Sequence, residues 1–324
     1  MKLGILGTGK IVQEALPAIC RLGCERIDIL ATKRSRERAE ELKNRYGLGE
    51  IFLEYDRLLR SDVDTLYIAL PNSLHYDYTK QALLAGKHVI LEKPAVPTLA
   101  QLQELADMAR ERECLLFEAM NIHYYPPFLS LKNALPQIGV PKIVLLNFSQ
   151  YSSRYDDFKK GIIQPVFDPA QAGGALMDLN VYNIHAALAL FGEPESVCYH
   201  ANMDRGIDTS GVLTMRYPGF EVVAIGAKDC RAAAVNTIQG ELGYLQIDCP
   251  VSQMEEFTFV GCDGAAQKAS FPREYRLYPE FVYFKDAIER RDYARAEAAM
   301  RISLAACRIV EEARNQAGIR FAGE

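Results

Sequence analysis

The sequence contains no tryptophan, no C-x-x-C pair and only five histidines among 324 residues. No two of these histidines have metal-ligand spacing beside cysteine or aspartate, so we predict no metal site. The eight cysteines are scattered along the chain. This distribution is not that of a small disulfide-bonded secreted protein, and it predicts reduced thiols buried in the core.

Long apolar runs and a surplus of positive charge are also missing. No stretch approaches the ~20 apolar residues that a membrane span needs, and a net charge of −5 does not favour a nucleic-acid partner. A strand-like run follows Met1 directly, which leaves no room for a signal peptide. We therefore expect a cytoplasmic protein with no membrane partner and no nucleic-acid partner.

The first 120 residues alternate between strand-like and helix-like segments. Six strand-like runs lie at 3–6, 27–31, 51–53, 65–70, 88–91 and 115–118. The helix-like segments between them lie at 10–22, 36–46, 55–60, 74–85 and 99–112. Strands that alternate with helices form a parallel sheet with both faces covered. We predict an α/β protein whose residues 1–120 form a Rossmann dinucleotide-binding domain.

Residues 121–324 have a different pattern, in which strands follow one another directly. A helix is predicted at 128–135, a strand at 142–151 and a longer helix at 173–191. Six further strands lie between 197 and 260, and two helices, 279–290 and 294–316, end the chain. This order predicts a C-terminal α+β domain for substrate binding and oligomerisation, with a mostly antiparallel open sheet. We expect that the last helices can pack back on the first domain.

A glycine-rich turn, Gly7-Thr8-Gly9-Lys10-Ile11, follows the first strand. Glycines allow a tight turn and a close approach of the backbone to a pyrophosphate, and a helix that begins near Lys10 offers free N–H groups. Val12 occupies the third glycine position of this motif, which leaves the phosphate cradle intact. The turn therefore predicts a dinucleotide site, with a glycine turn that binds no ligand as the alternative.

The end of the second strand bears on the type of cofactor. NAD sites usually place an acid there, about twenty residues after the glycines, to bind the ribose hydroxyls. Here the segment contains Thr32, Lys33 and Arg34 and no acid, and Asp28 lies earlier, within the strand. A hydroxyl and two cations suit a 2′-phosphate. The sequence therefore favours NADP(H), with NAD(H) as the alternative and a solvated loop as the non-binding interpretation.

Further candidates follow later strands, because ligands in open α/β sheets bind beyond the carboxyl ends of the strands. Asn72 and His75 can form hydrogen bonds on the nicotinamide side, and surface capping is the equal alternative for either. Lys93 is expected to face the substrate. The other predicted cofactor contacts, which lie beside these residues or after the sixth strand, are Leu70, Pro71, Glu92 and Asn121.

A second motif begins at Gly173-Gly174 and continues to Asp178 and Tyr182. On an α-helix these two polar side chains are separated by four residues and face the same side. A helix N-terminus with a buried tyrosine is the alternative.

These motifs together resemble the glucose–fructose oxidoreductase / inositol dehydrogenase (Gfo/Idh/MocA) family. G-x-G-x-I, E-K-P and G-G-x-x-x-D-x-x-x-Y occur in the family's order over essentially the whole chain. The nearest motif type is that of dimeric dihydrodiol dehydrogenase and xylose dehydrogenase, with tyrosine in place of histidine. The resemblance implies NAD(P)-dependent oxidation or reduction of a secondary carbinol of a sugar, polyol or dihydrodiol. It also implies a homodimer or homotetramer joined through the C-terminal sheet.

The resemblance assigns catalytic roles to Lys93, Asp178 and Tyr182. Tyr182 is the general acid/base and the Lys93 ammonium is its electrostatic partner, since a nearby cation stabilises a phenolate. Exchange of these two roles is an alternative. Asp178 orients the substrate hydroxyl or Lys93, and the reaction needs no metal.

Three more residues, His123, Tyr151 and Arg154, are expected to line the substrate site, whereas His185 receives no catalytic role. The rival interpretation of the whole chain is an inactive dinucleotide-binding sensor or regulator. The retained lysine, aspartate and tyrosine argue against it, because a sensor needs none of them.

Overall fold

The computed structural model describes residues 1–272 and 275–321. The chain forms two units, one of Met1–Ala119 with Glu274–Leu304 and the other of Met120–Arg273 with Ala305–Glu324. Within the described ranges, no helix has both the length and the hydropathy to span a bilayer.

The first unit contains a six-stranded parallel sheet in the order β3-β2-β1-β4-β5-β6. This order changes direction between β1 and β4, as in Rossmann folds, and confirms the predicted fold class. Each strand lies within two residues of its predicted bounds. The strands are β1 (Lys2–Leu6), β2 (Arg26–Leu30), β3 (Ile51–Phe52), β4 (Thr65–Ile68), β5 (His88–Glu92) and β6 (Leu116–Ala119).

Helices connect these strands, as parallel pairing requires. They are α1 (Lys10–Ile19), α2 (Arg36–Tyr46), α3 (Tyr55–Arg60), α4 (His75–Leu84) and α5 (Leu99–Glu111). The late helix α9 (Tyr278–Arg290) also belongs to this unit: the Phe281 ring meets the Tyr67 ring of β4 edge-on, with 5.1 Å between centroids. The final helix, α10 (Tyr293–Ala317), contributes residues to both units.

The second unit contains an eight-stranded sheet in the order β14-β13-β12-β11-β7-β10-β9-β8. Its neighbouring strands are antiparallel except for the parallel pair β7 and β10, which confirms the mostly antiparallel sheet. The strands are β7 (Pro141–Ser149), β8 (Ser196–Asp204), β9 (Ile207–Tyr217), β10 (Phe220–Ala227), β11 (Asn236–Gly240), β12 (Gly243–Ile247), β13 (Glu256–Gly261) and β14 (Ala266–Ser270). The sequence pattern does not predict β14, because this edge strand is almost entirely exposed and lacks apolar alternation.

The helices of the second unit include α6 (Pro126–Ala134), the short α7 (Tyr155–Lys159) and α8 (Val181–Phe191). The predicted single helix at 173–191 is wrong in one respect, because Leu176–Asn180 is π-helical and only then does α8 begin. Two amide side chains, one at the end of the π-helical turn and one in α8, bond the backbone of β10. Asn180 Nδ2 donates to Ala224 O at 3.1 Å, and Asn183 Nδ2 donates to Ile225 O at 3.0 Å. The backbones approach closely there, since a Cβ on Gly226 would lie 2.8 Å from Asn180 Cβ.

The cysteines are less buried than the sequence analysis expected. All eight are free thiols, but Cys114 alone is buried, and four are exposed: Cys20, Cys198, Cys230 and Cys262. The expectation of core thiols is wrong because it rests on the usual burial of the residue type, whereas Cys198 occupies an outward position of β8.

The two glycines that follow β1 make a matched pair for testing the turn. Gly7→Ala is expected to lower the free energy of unfolding by roughly 2–3 kcal/mol, because the backbone has φ +110° and the new Cβ would lie 2.7 Å from Ala69 O. A Cβ on Gly9 meets no atom within 4 Å, so Gly9→Ala should cost less than about 1 kcal/mol. Urea unfolding measures both, and equal losses would contradict this account of the turn.

Candidate active site

The glycine turn at the end of β1 exposes the start of α1. Gly7 N donates to Leu30 O at 3.1 Å, which fixes the turn beside β2. Gly9 is the N-cap residue of α1, has extended backbone angles and leaves open space where a Cβ would stand. The first N–H groups of the helix, from Lys10 and Ile11, are the kind of donors that bind an anion. This geometry suits a pyrophosphate, and Thr8, within the turn, is largely buried.

The turn after β2 presents two cations. Thr32 and Ser35 form a capping box in which Ser35 N donates to Thr32 Oγ1 at 3.2 Å and Thr32 N to Ser35 Oγ at 3.0 Å. The Thr32 hydroxyl therefore shapes the turn. Lys33 and Arg34 are exposed, and neither forms a hydrogen bond or ion pair with any residue in the described part of the chain.

The one acidic residue within β2 is already hydrogen-bonded to neighbouring residues. Asp28 is fully buried and accepts hydrogen bonds from Arg26 Nε at 2.7 Å and from Glu50 N at 2.8 Å. Its carboxylate therefore holds the connection to β3. The strand end offers cations without a free acid, which suits a 2′-phosphate.

His75 joins two of the candidate loops. Its ring is completely buried, with Nε2 2.9 Å from Leu70 O and Nδ1 3.1 Å from both Pro94 O and Ala95 O. Burial lowers its pKa, so the ring is neutral at physiological pH. Both nitrogens lie beside backbone carbonyls, and the single N–H of a neutral ring donates to one of the two loops while the other nitrogen packs against the second. The predicted hydrogen bond from His75 to a cofactor stays a prediction.

Residues 70–74, between β4 and His75, are exposed or half-buried. Pro71 precedes a short 3₁₀ turn, Asn72–Leu74, whose first residue is half-buried. Leu70 is half-buried as well, and its carbonyl is the one that His75 binds.

Glu92 lies under the lysine loop with its side chain directed inward. Tyr67 Oη donates to Glu92 Oε1 at 2.5 Å, and Lys93 N donates to Glu92 Oε2 at 3.2 Å. Burial raises the pKa of Glu92 to about 6. Both oxygens of the Glu92 carboxyl are therefore bonded within the first unit, and its predicted cofactor contact stays a prediction.

The same loop is held from a third direction by β6. Ala95 N donates to the buried Glu118 Oε1 at 2.9 Å. The peptide bond between Lys93 and Pro94 is cis. Lys93 itself is half-buried at the carboxyl end of β5, so it follows a strand whose end is fixed by Glu92, Glu118 and His75.

In the second unit, Asp178 lies in the π-helical turn before α8. Leu176 N donates to the buried Asp208 Oδ2 at 2.6 Å, which holds the start of this turn. Lys228 Nζ donates to Asp178 Oδ2. The Asp178 side chain is 34% exposed and that of Lys228 only 5%. Asp178 thus bonds a buried ammonium while part of its side chain stays exposed.

Tyr182 lies in the first turn of α8 and is 8% exposed. Its ring centroid lies 5.9 Å from that of Phe148. The π-helical turn ends at Asn180, between Asp178 and Tyr182, so the α-helical spacing rule that placed their side chains on one face does not apply across this junction.

Asn121 and His123 belong to the second unit, and their side chains contact other residues of that unit. Asn121 is buried and its Nδ2 donates to Ser252 O at 3.2 Å. His123 Nε2 lies 2.9 Å from His185 Nδ1. Burial lowers the pKa of both imidazoles, that of His185 to about 3, so the pair is neutral. His185, which the sequence analysis set aside, is therefore the partner of a predicted substrate residue.

Tyr151 and Arg154 lie on the exposed segment after β7. Tyr151 Oη donates to Asp156 Oδ1 at 2.7 Å and accepts from Lys159 Nζ at 3.0 Å. Arg154 is exposed and is the N-cap residue of α7. Both side chains are accessible, and Tyr151 already has polar partners in its own segment.

Comparison with known proteins agrees with this fold over almost the whole chain. Residues 1–120 match a family described as "Oxidoreductase family, NAD-binding Rossmann fold", and residues 137–246 match "GFO/IDH/MocA C-terminal domain". The scyllo-inositol 2-dehydrogenase (NADP(+)) IolU of Bacillus subtilis (strain 168) is 32% identical, over 99% of this chain and 98% of the relative. The chain belongs to the Gfo/Idh/MocA family of oxidoreductases.

Two further relatives of this Gfo/Idh/MocA oxidoreductase extend the comparison. The uncharacterized oxidoreductase YgjR of Escherichia coli (strain K12) is 31% identical, over 99% of this chain and 98% of the relative. The crystal structure of a 3-ketoreductase from Actinomadura kijaniata, in complex with NADP and TDP-benzene, has a TM-score of 0.85 at 25% identity. It covers 98% of this chain and 97% of that chain. The enzyme class predicted from the sequence is thereby confirmed, and the sensor interpretation loses support.

Two buried ionic residues of the Gfo/Idh/MocA oxidoreductase escaped the sequence analysis. Lys228 directly follows an apolar strand, and a charged residue at that place usually indicates the start of a turn. Asp208 lies within β9. A lysine at the very end of a buried strand was the available signal. Its partner is fifty positions away in the chain, and no local spacing indicates it.

Two of the buried carboxyls of the first unit, Glu92 and Glu280, predict how stability depends on pH. Burial raises the pKa of Glu280 well above its usual value, with the Glu92 charge as the next cause. Raised folded pKa values mean that the stability is complete below the unfolded value of 4.5 and is lost as the pH rises through the folded values. The free energy of unfolding should therefore fall by on the order of 2 kcal/mol between about pH 5 and about pH 8.

Urea unfolding of Glu280→Gln at both pH values tests this prediction. The variant should show a flatter pH dependence, because one of the two titrations is gone. Glu41→Gln, at an exposed position, is the control and should follow the unmodified protein. An unchanged slope in Glu280→Gln would contradict the assignment.

Proposed function

We propose that the protein is an NADP(H)-dependent oxidoreductase acting on a secondary carbinol or ketone of a sugar or polyol. The observation that supports it most directly is the single edge of the parallel sheet that carries the glycine turn, the free cations Lys33 and Arg34, and Lys93. The names of the relatives agree, since the Bacillus protein is an NADP(+) dehydrogenase of scyllo-inositol. A cyclic dihydrodiol is the other substrate class that the motifs suggest.

The residues of the first unit suit NADP(H). The N–H groups that begin α1, from Lys10 and Ile11, would hold the pyrophosphate, with Gly9 leaving room for it. Arg34 would bind the 2′-phosphate with two parallel hydrogen bonds. Leu70, Pro71 and Asn72 would pass beside the nicotinamide. When bound, the cofactor supplies or accepts the hydride.

The proposed roles in proton transfer belong to three side chains. Tyr182 exchanges a proton with the reacting oxygen, and the Lys93 ammonium stabilises the phenolate or polarises the carbonyl. Asp178 accepts a hydrogen bond from a hydroxyl of the substrate and thereby orients the substrate. Proton transfer by Lys93 with Tyr182 as the orienting group is the alternative within the same mechanism.

The outer face of the eight-stranded sheet supports a homodimer or homotetramer. Outward positions on three adjacent strands carry exposed or half-exposed apolar side chains, and the strand register places Val223 between Leu145 and Thr214. The apolar members of this face are Ile143, Leu145, Val212, Val223 and Ile225. A continuous apolar patch suits a second copy of the chain. Eight free thiols suit the reducing cytoplasm.

Lys93→Met tests the catalytic assignment. We expect kcat to fall at least about a hundredfold, because the charge that assists proton transfer is lost. The Kd for NADPH should stay within about threefold, since Lys93 lies outside the phosphate cradle. Stopped-flow turnover and fluorescence titration measure the two quantities, with Lys80→Met, which removes a half-buried lysine paired with Glu104, as control. Near-normal turnover in Lys93→Met would refute the role.

Arg34→Ala tests the preference for NADP(H). The Kd for NADPH should rise about 10- to 100-fold while that for NADH is unchanged, because only the 2′-phosphate contact is removed. Arg36→Ala is the matched control, since Arg36 is paired with Glu40 at 2.9 Å. Equal weakening of NADPH and NADH would show that Arg34 does not read the phosphate.

The function itself is tested by a titration with NADPH and NADH, followed by a screen of aldoses, polyols and trans-dihydrodiols at the absorbance band of the reduced cofactor. Turnover of any carbinol with NADP⁺ supports the proposal. Cofactor binding without turnover on the whole panel would favour the sensor.

A further inference from the structure

We propose that Lys228 is a positioning residue for substrate binding, which holds the Asp178 carboxylate as an oriented anion behind the substrate hydroxyl. The inference rests on the proposed role of Asp178 and adds a residue that the motifs do not contain.

The backbone of Lys228 is fixed on both sides. It follows β10 directly, its N–H donates to Thr209 O at 2.8 Å, and its carbonyl accepts from Ser152 N at 2.8 Å. The strand β9 and the segment after β7 therefore determine where the side chain begins. A long lysine side chain with a fixed base loses much of its freedom before it reaches its partner.

The Lys228 ammonium is buried and is paired with one carboxylate. The Lys228 side chain is 5% exposed, and among the described residues Asp178 alone accepts a hydrogen bond from its Nζ. The Nζ also lies 5.8 Å from the centroid of the Phe167 ring, at the outer range of a cation–π contact. A buried cation needs a paired anion, and Asp178 supplies it.

The turn that carries Asp178 is attached to the same strand that Lys228 follows. Asn180 Nδ2 bonds Ala224 O of β10, and Gly226 admits the close approach of Asn180. Asp208 holds the other end through Leu176 N. The carboxylate and the ammonium are therefore brought together by contacts on both sides of Asp178, independently of their own attraction.

The unequal burial of the two partners separates this pair from an ordinary structural salt bridge. The lysine is enclosed, whereas the Asp178 side chain is 34% exposed. About a third of the Asp178 side chain thus stays accessible to a ligand while the Lys228 ammonium bonds its Oδ2 atom. Such an arrangement is what an acceptor for a substrate hydroxyl requires.

The test compares Lys228→Met, Lys228→Arg, Asp178→Asn and the double variant Lys228→Met/Asp178→Asn. We expect Lys228→Met to lower kcat/KM for the carbinol at least about tenfold, mainly through KM, with the Kd for NADPH within about twofold. Lys228→Arg should recover most of the loss, because it keeps a cation near Asp178. Lys142→Met, which removes an exposed lysine paired with Glu241, is the control.

The double variant decides between positioning and a separate structural role. If Lys228 acts through Asp178, adding Lys228→Met to Asp178→Asn should change kcat/KM by less than about twofold. Independent, multiplicative losses would overturn the proposal, and so would an unchanged kcat/KM in Lys228→Met. This comparison holds even if Lys228→Met alone folds poorly, because the double variant leaves no unpaired buried charge.

Failure of the proposed function gives a different result. If the unmodified protein turns over none of the substrates, both the function and this inference are overturned. If it turns over a carbinol normally and Lys228→Met does so equally well, the inference alone fails.

Discussion

The parallel register of the first sheet is the constraint on which the cofactor side of the protein depends. Leu6 pairs with both Leu30 and Ile68, and Ile68 pairs in turn with Leu91. The residues that follow these positions therefore leave the sheet at one level. Because all the strands point the same way, the glycine turn, the Thr32 turn, the His75 loop and the Lys93 loop arise along one edge.

Buried polar groups bond the loops along that edge. His75, Glu92 and Glu118 each bond backbone groups of the loops beside them. A buried polar group is stable only when it is paired, so each of these side chains confines its loop to one conformation. The second unit uses the same device at the π-helical turn, where Asp208 and Asn180 hold the backbone around Asp178.

Much of the fold could be predicted because its elements repeat simple periods. Apolar strands alternating with amphipathic helices indicate a covered parallel sheet, and α2 and α3 have their predicted bounds. The edge strand β14 escaped because it buries almost nothing and so carries no periodic signal. The π-helical turn escaped because the amides that accompany it, Asn180 and Asn183, bond a strand more than forty residues away.

By itself, the sequence determined the family through its motifs, the two-part architecture and the place of the glycine turn after β1, since these follow from local patterns. The roles of Lys93, Asp178 and Tyr182 stay predictions from the motifs. The tertiary structure decided what the polar side chains do. It bonded His75 and Glu92 to groups of their own unit, joined His123 to His185 and placed Lys228 against Asp178. The physical reason is that a side chain's partner is chosen by which strands and loops pack together, and that choice spans distances in the chain that no local pattern records.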